Sequence, residues 1–437
     1  MRLSTGILII ILGISSGCMT TRLSKVEILE SLEGQILTWP DAVRGALEHN
    51  PDLKKSRAEV KSLARSRDSA AGAFLPSATG TYDRSRSKST GSSSIEQSMD
   101  IGFQASQPIF AGFQIVADFL KASRELSAEE YAYLDTSANV RFRLRSAYID
   151  LLRLEELFEV SEQIVERRKQ NAELIQLRYD AGREHQGSLL RSQAIVRQAV
   201  FELDQTRRAM ETQSLRFSRE LGGAFISSIH VEGNLEEWIP KLSDPKPNFT
   251  LLAQNTPAVQ QLIKLAEAKK AEIVSAQSVV WPQVNGTYDY GYSGDRASNL
   301  DKHYSLGLGI SVPLFEGGRN LQAIRKAKAD YDAAREAAES ARDETLVQLA
   351  ESWAALENAL DSVDVRRKFL EAAEERAEII KSQYTSGLVN FQDFDLAEQD
   401  LADSQKSFVE ALAAALTREA SLDLEKGSTL EEIIRGI

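Results

Sequence analysis

The sequence predicts a mostly α-helical chain with a membrane β-barrel portion, built from a duplicated unit of helix, strand, strand, long helix and helix. Three observations predict this class. Blocks of sequence recur at a near-constant offset, hydrophobic periodicity changes from helical to two inside each copy, and each copy then runs far without Pro or Gly. Phe74-Leu75-Pro76 to Tyr82-Asp83 returns as Val280-Trp281-Pro282 to Tyr288-Asp289. Gln107-Pro108-Ile109-Phe110-Ala111-Gly112 returns as Val312-Pro313-Leu314-Phe315-Glu316-Gly317, and Arg178-Tyr179-Asp180-Ala181-Gly182 as Gln383-Tyr384-Thr385-Ser386-Gly387. The offset is 206 residues for Pro76/Pro282 and 205 for Pro108/Pro313, Gly112/Gly317 and Gly182/Gly387. Tyr148 and Trp353 align on the same offset.

Each copy opens with a helix start. Asn50-Pro51 and Thr256-Pro257 put a capping side chain before a Pro in the first turn, where its missing N–H costs nothing. Upstream, Thr38 and Asp41 read as a capping box for a short helix ending near Asn50. The next helices are expected to run from Pro51 to about Gly72 and from Pro257 to about Val279, with Pro76 and Pro282 marking the change to strand.

Strands are expected at about 77–87, 98–108, 283–292 and 303–313. In the second copy Tyr288, Tyr290 and Tyr292, then Tyr304, Leu306, Leu308, Ile310 and Val312, alternate with Thr, Asp, Ser and Gly. The first copy repeats this more weakly with Gly80, Tyr82, Met99, Ile101, Phe103 and Ala105. An apolar face opposite a small, polar one suits a barrel wall between lipid and a wet lumen. Polar stretches at 85–97 and 293–302 read as the connecting turns.

Segments 113–181 and 319–386 contain no Pro, and no Gly until Gly182 and Gly387 end them. Helices of that length reach about 100 Å at ~1.5 Å per residue. Ala323, Ala327, Ala334, Ala338 and Ala341, with charges between them, read as close coiled-coil packing with wet outer faces. Second helices return at about 187–221 and 392–425. The resulting division is a signal segment at 1–17, an N-terminal stretch at 18–36, a first repeat at 37–221, a connector at 222–255, a second repeat at 256–425 and a tail at 426–437.

Arg2, the apolar run Ile7–Ile14 and Ser15-Ser16-Gly17 before Cys18 read as an export signal ending in a lipobox. Cys18 is the candidate lipidation site, though Ser15 stands where a lipobox usually has Leu. An ordinary secretory signal is the alternative, and both readings export the chain. Cys18 is the one cysteine, so no disulfide framework or thiolate metal cluster forms within the chain. A net charge of −12 argues against a nucleic-acid surface. The four histidines are isolated, and no phosphate loop or nucleophile elbow is present. No catalytic residue, cofactor or metal is expected, and the chain reads as a non-enzyme.

Four strands are too few to close a barrel, and open edges in lipid leave backbone groups unpaired, so the chain is expected to form a closed ring. In the order and double occurrence of these motifs, from about residue 36 to 426, the chain resembles the TolC-like outer membrane efflux proteins. The resemblance implies a homotrimer, a 12-stranded barrel above an α-helical periplasmic barrel, and a lipid-anchored position in the outer membrane. It also implies a periplasmic adaptor (membrane fusion) protein and an inner-membrane pump, of the RND or ABC type, at the helical tips.

By that resemblance Tyr179, Gly182, Arg183, Ser188, Leu189, Tyr384, Gly387 and Leu388 contact the adaptor. Asp393 and Asp395 are the aperture acids, with Glu398 nearby and Leu396 interrupting a second ring. Small-molecule efflux is the expected function. Type I protein secretion and a non-conducting coiled-coil tether are the alternatives.

Overall fold

In a computed structural model, residues 36–88, 95–223, 228–242 and 246–435 are described. The expected signal segment, 1–17, and the candidate lipidation site Cys18 lie outside these residues. Strand β1 (Ile36–Leu37) leads into helix α1 (Trp39–His49), whose first turn Thr38 caps by accepting from the Asp41 N–H at 3.3 Å. The Asp41 carboxylate accepts from the Thr38 hydroxyl at 2.6 Å, so the box closes side chain to side chain. Asn50 caps α2 (Pro51–Gly72) as expected, accepting from the N–H groups of Asp52 and Leu53. Thr256 does not repeat this before α6 (Pro257–Gln277). Its hydroxyl donates instead to the Ala253 carbonyl at 3.0 Å, satisfying the end of α5 (Phe249–Asn255).

Strands β2 (Ser77–Lys88), β3 (Ile95–Ala111), β5 (Gln283–Arg296) and β6 (Asn299–Ser311) form one antiparallel sheet in the order β2-β3-β5-β6. The two copies join through β3 and β5, where Phe103 faces Tyr290 and Ala105 faces Tyr288. Register shifts between Pro108 and Phe110, because Pro has no N–H to give the ladder. Of the expected turns, 85–88, 95–97, 293–296 and 299–302 are strand. Their Ser, Arg and Asp residues continue the same alternation, and backbone pairing does not require apolar side chains. Strands β5 and β6 turn over Ala297 and Ser298 alone. Both sheet edges, β2 and β6, are open.

Below the sheet, α3 (Gln114–Asp180) and α7 (Arg319–Ser386) run for 67 and 68 residues. The chain enters both through left-handed residues, Gly112-Phe113 and Gly317-Gly318. Gly112 is required there, since a Cβ would sit 2.5 Å from the Ser278 carbonyl. In the half nearest the sheet, α2 packs on α3, α3 on α6 and α6 on α7. In the far half, α4 (Gln186–Leu221) pairs with α3 and α8 (Phe391–Glu425) with α7, while α3 touches α8. The long helices thus carry two successive four-helix layers.

The core lies where those layers meet. Tyr148 is fully buried there, edge-on to Trp39 and Phe217 and stacked on Trp238 at 5.3 Å. Its hydroxyl bonds the carbonyl oxygens of Leu37 and Glu232, beside the parallel pair β1–β4 (His230–Val231). The Arg145 guanidinium is sandwiched between Trp39 and Trp238. The C-terminal tail joins this core as helix α9 (Leu430–Arg435). Leu430 is fully buried, and Glu431 accepts from Tyr133 and Ser137 of α3.

Candidate functional site

Two regions carry chemistry: the far tips of the coiled coils and the two faces of the sheet. At the tips, α3 and α7 stop because Gly182 and Gly387 adopt left-handed φ of 69° and 80°. The amide of Arg183 then bonds the Arg178 carbonyl at 2.8 Å, and that of Leu388 the Gln383 carbonyl at 2.9 Å, closing matched turns. Tyr179, Gly182, Arg183, Gly387 and Leu388 are exposed, Leu388 to 77%, while Ser188 is half-buried.

Two of the expected contact residues, Tyr384 and Leu189, lie inside the tips rather than on their surface. Tyr384 is 1% exposed and Leu189 is buried beside it, clustered with Ile175 and Phe394. The reason is tertiary: the turn of each coiled coil needs an apolar plug, and the two tips share one. Tyr384 stacks on Phe394 with centroids 4.7 Å apart. Arg178 lies over the Tyr384 ring at 4.6 Å and donates to the Tyr384 carbonyl at 2.9 Å. The Tyr384 hydroxyl donates to Glu184 at 2.7 Å. Arg178 and Glu184, both in the first copy, therefore hold Tyr384 of the second.

Burial, followed by the hydrogen bond to Glu184, pushes the Tyr384 phenol far up, so it remains a donor. Burial works to raise Glu184, but bonds from Tyr384, the His185 N–H and Ser188, with Arg178 nearby, hold it below its usual range. A carboxylate depressed in the folded state stabilises above its unfolded pKa and loses that contribution as pH falls through the folded value. Tip amide protection against hydrogen exchange, corrected for intrinsic rate, is expected to fall as pH drops from 7 to below the carboxylate range. Glu184→Gln should remove that step; an unchanged pH profile in the variant would refute the assignment.

Asp395, the second of the expected aperture acids, lies buried between the coiled coils. It is 8% exposed and held by Arg191 of α4 at 2.8 Å and Arg168 of α3 at 3.8 Å. Arg168 also donates to Gln399 at 3.1 Å, so this acid ties the second coiled coil to the first. Glu398 is buried as well. Asp393 stays exposed, next to exposed Leu396, with its N–H bonded by Asn390. Sequence reading missed Arg168, Arg178, Glu184 and Arg191. A signal existed: at aligned positions the copies differ, with Arg178 against Gln383 and Glu184 against Val389.

The sheet separates two chemistries by its pleat. Registered rows put Tyr82, Ile101 and Tyr292 on one face, with Phe103, Tyr288, Tyr304, Leu306, Leu308 and Ile310. These side chains lie open, Leu306 to 83%. The other face carries Thr81, Gly102, Gly291 and His303 in one row, and Asp83, Asp100, Ser293 and Asp301 in the next. Asp83 stands directly opposite Asp100. Like charges so paired repel, which suits a face in contact with water. Among the described residues no cluster could hold a metal ion, and no helix is long and apolar enough to cross a membrane.

The family model described as outer membrane efflux protein matches residues 42–223 and 249–427. The outer membrane efflux protein BepC of Brucella suis is 22% identical over 398 residues, 87% of this chain and 85% of that protein. Among solved structures, the outer membrane protein VceC of Vibrio cholerae superposes with a TM-score of 0.78 at 20% identity, covering 89% of this chain and 96% of that one. The MtrE outer membrane channel of Neisseria gonorrhoeae in its open state gives 0.80 at 17% identity, over 90% and 89% of the two chains.

Proposed function

Because this chain belongs to the outer membrane efflux protein family, we propose that three copies close a twelve-stranded barrel in the outer membrane and extend it into the periplasm as a helical tube. The observation that carries this is a four-stranded sheet with one apolar face, one wet face and both edges unpaired. Open edges are untenable in lipid, and β6 of one copy supplies what β2 of the next lacks. The helices follow the same order as the strands, so one ring closure serves both layers.

The channel conducts passively, receiving small-molecule cargo from an inner-membrane pump of the RND or ABC type through a periplasmic adaptor. The exposed rim of Tyr179, Gly182, Arg183, Gly387 and Leu388, with half-buried Ser188, is the adaptor surface. Leu388 is the most exposed apolar side chain of that rim, and burying it against the adaptor would take its apolar surface out of water. Cys18 carries the lipid that holds the chain to the outer membrane. Asp393, exposed beside the second tip, forms a ring of three acids at the aperture and favours cations there.

The test is conductance of the purified mature protein in a planar bilayer, with Asp393→Ala beside it. Cation-selective currents are expected, with selectivity falling at least about twofold in the variant, since an acidic ring sets permeation through local potential. Selectivity unchanged by the substitution would remove Asp393 from the constriction. Absence of both conductance and trimers in detergent would favour a coiled-coil tether instead.

A further inference from the structure

We propose that the outer end of the sheet's apolar face, at each junction between copies, binds phosphate-bearing headgroups of an anionic lipid in the outer leaflet. The inference rests on the barrel proposed above. Along β2 the apolar face ends at Tyr82, and the next two residues on that face are Arg84 and Arg86, registered opposite Met99 and Gln97. Along β6 it ends at Tyr304, and the next residue on that face is Lys302, registered opposite Tyr292. The Lys302 ammonium lies 5.0 Å from the centre of the Tyr290 ring. Arg84, Arg86 and Lys302 are all exposed.

The acids at the same levels stand on the other face. Asp83 and Asp100 share one inner row, with Asp301 completing it across Ser293. The outer face offers Met99, Gln97, Tyr292 and Gly294 around the cations, none of them acidic. Neither Arg84, Arg86 nor Lys302 is ion-paired with a described residue. At the levels of Tyr82 to Arg84 the pleat puts Arg84 and Lys302 outward and Asp83, Asp100 and Asp301 inward.

Position fixes what the cations meet. From Ile310 to Tyr304 the apolar face spans about 20 Å along the strand at ~3.4 Å per residue, about 15 Å of height at a tilt of about 40° and so over half of the ~25 Å apolar band of a barrel wall. Tyrosines then mark the interface, and the cations follow at headgroup depth. A guanidinium fork matches phosphate oxygens in a bidentate pair, and an ammonium adds a point charge. Ring closure puts β6 of one copy against β2 of the next, so Lys302 joins Arg84 and Arg86 only in the assembly.

The experiment uses the full mature protein in mixed micelles doped with lipid A bearing both phosphates, or with lipid A stripped of them. Lipid retained per chain after gel filtration is measured by mass spectrometry. Wild type is expected to retain the phosphorylated form about tenfold better, from about a factor of five per surface cation and allowing for screening. The triple variant Arg84→Gln, Arg86→Gln, Lys302→Gln should lose the preference with conductance unchanged. Charge-preserving Arg84→Lys with Lys302→Arg should keep most of it. Equal retention of both lipids by wild type, or an intact preference in the triple variant, would overturn the proposal while leaving the channel standing. Loss of conductance in wild type would instead strike the barrel itself. Should the triple variant fail to assemble, Arg86→Gln alone is expected to lower the preference two- to fivefold, about one cation's share, and no change would sink the idea.

Discussion

Arg178→Gln combined with Tyr384→Phe is expected to raise the open probability of single channels at least about tenfold. The two residues form one of the contacts that join one tip to the other. Arg178 donates to the Tyr384 carbonyl and caps its ring, and the Tyr384 hydroxyl donates to Glu184. Hydrogen bonds to charged groups contribute about 1.5–3 kcal/mol each, so losing both shifts a two-state tip by roughly 2–4 kcal/mol after allowing for shared partners and partial exposure. That is a change of ~30-fold or more in population. The stacked Tyr384–Phe394 pair survives in the Phe variant, so folding of the tip is not at stake. Tyr384→Phe alone should show a smaller increase, because the Arg178 contacts remain. An unchanged open probability in the double variant, in trimers of normal stability, would show that this contact does not restrain the aperture.

Tyr148→Ala is expected to destabilise the equatorial core by about 4–6 kcal/mol. Truncating a buried aromatic costs about 3–5 kcal/mol in transfer and cavity terms. The carbonyl oxygens of Leu37 and Glu232 would also lose their donor. Trp39, Phe217 and Trp238 all rest on this ring, so the loss spreads to β1, α1 and α4. Limited proteolysis should then cut near residues 228–239, and trimer yield should fall. Tyr148→Phe keeps the ring and should cost only about 1–3 kcal/mol, for the one phenolic proton that the two carbonyl oxygens share. Equal protease resistance of Tyr148→Ala and wild type would contradict the central role given to this residue.

Much of the site was legible where sequence distance is short. The turns at Gly182 and Gly387 could be read because a helix that must stop and reverse needs a left-handed residue, and Gly supplies it without a Cβ penalty. The exposed rim around Leu388 followed from those turns. Tyr384 and Asp395 owe their burial to a common cause. Each sits near a tip in sequence, but its surroundings come from residues about 200 positions away: Glu184 for one, Arg168 and Arg191 for the other. The Thr256 hydroxyl was likewise diverted by a nearby carbonyl that sequence spacing did not weigh.

The sequence by itself determined the duplicated unit, the extents of the long helices and the two-faced strands. These rest on periodicity and on Pro and Gly, whose effects act within a few residues. Tertiary structure alone decided the strand order that joins the copies through β3 and β5, the docking of the tail on α3, and the choice of Asp393 over Asp395 as the exposed acid. Those outcomes depend on which distant side chain occupies the space opposite. Local pattern cannot specify that, because a buried acid and a solvated acid look alike until their partners are in place.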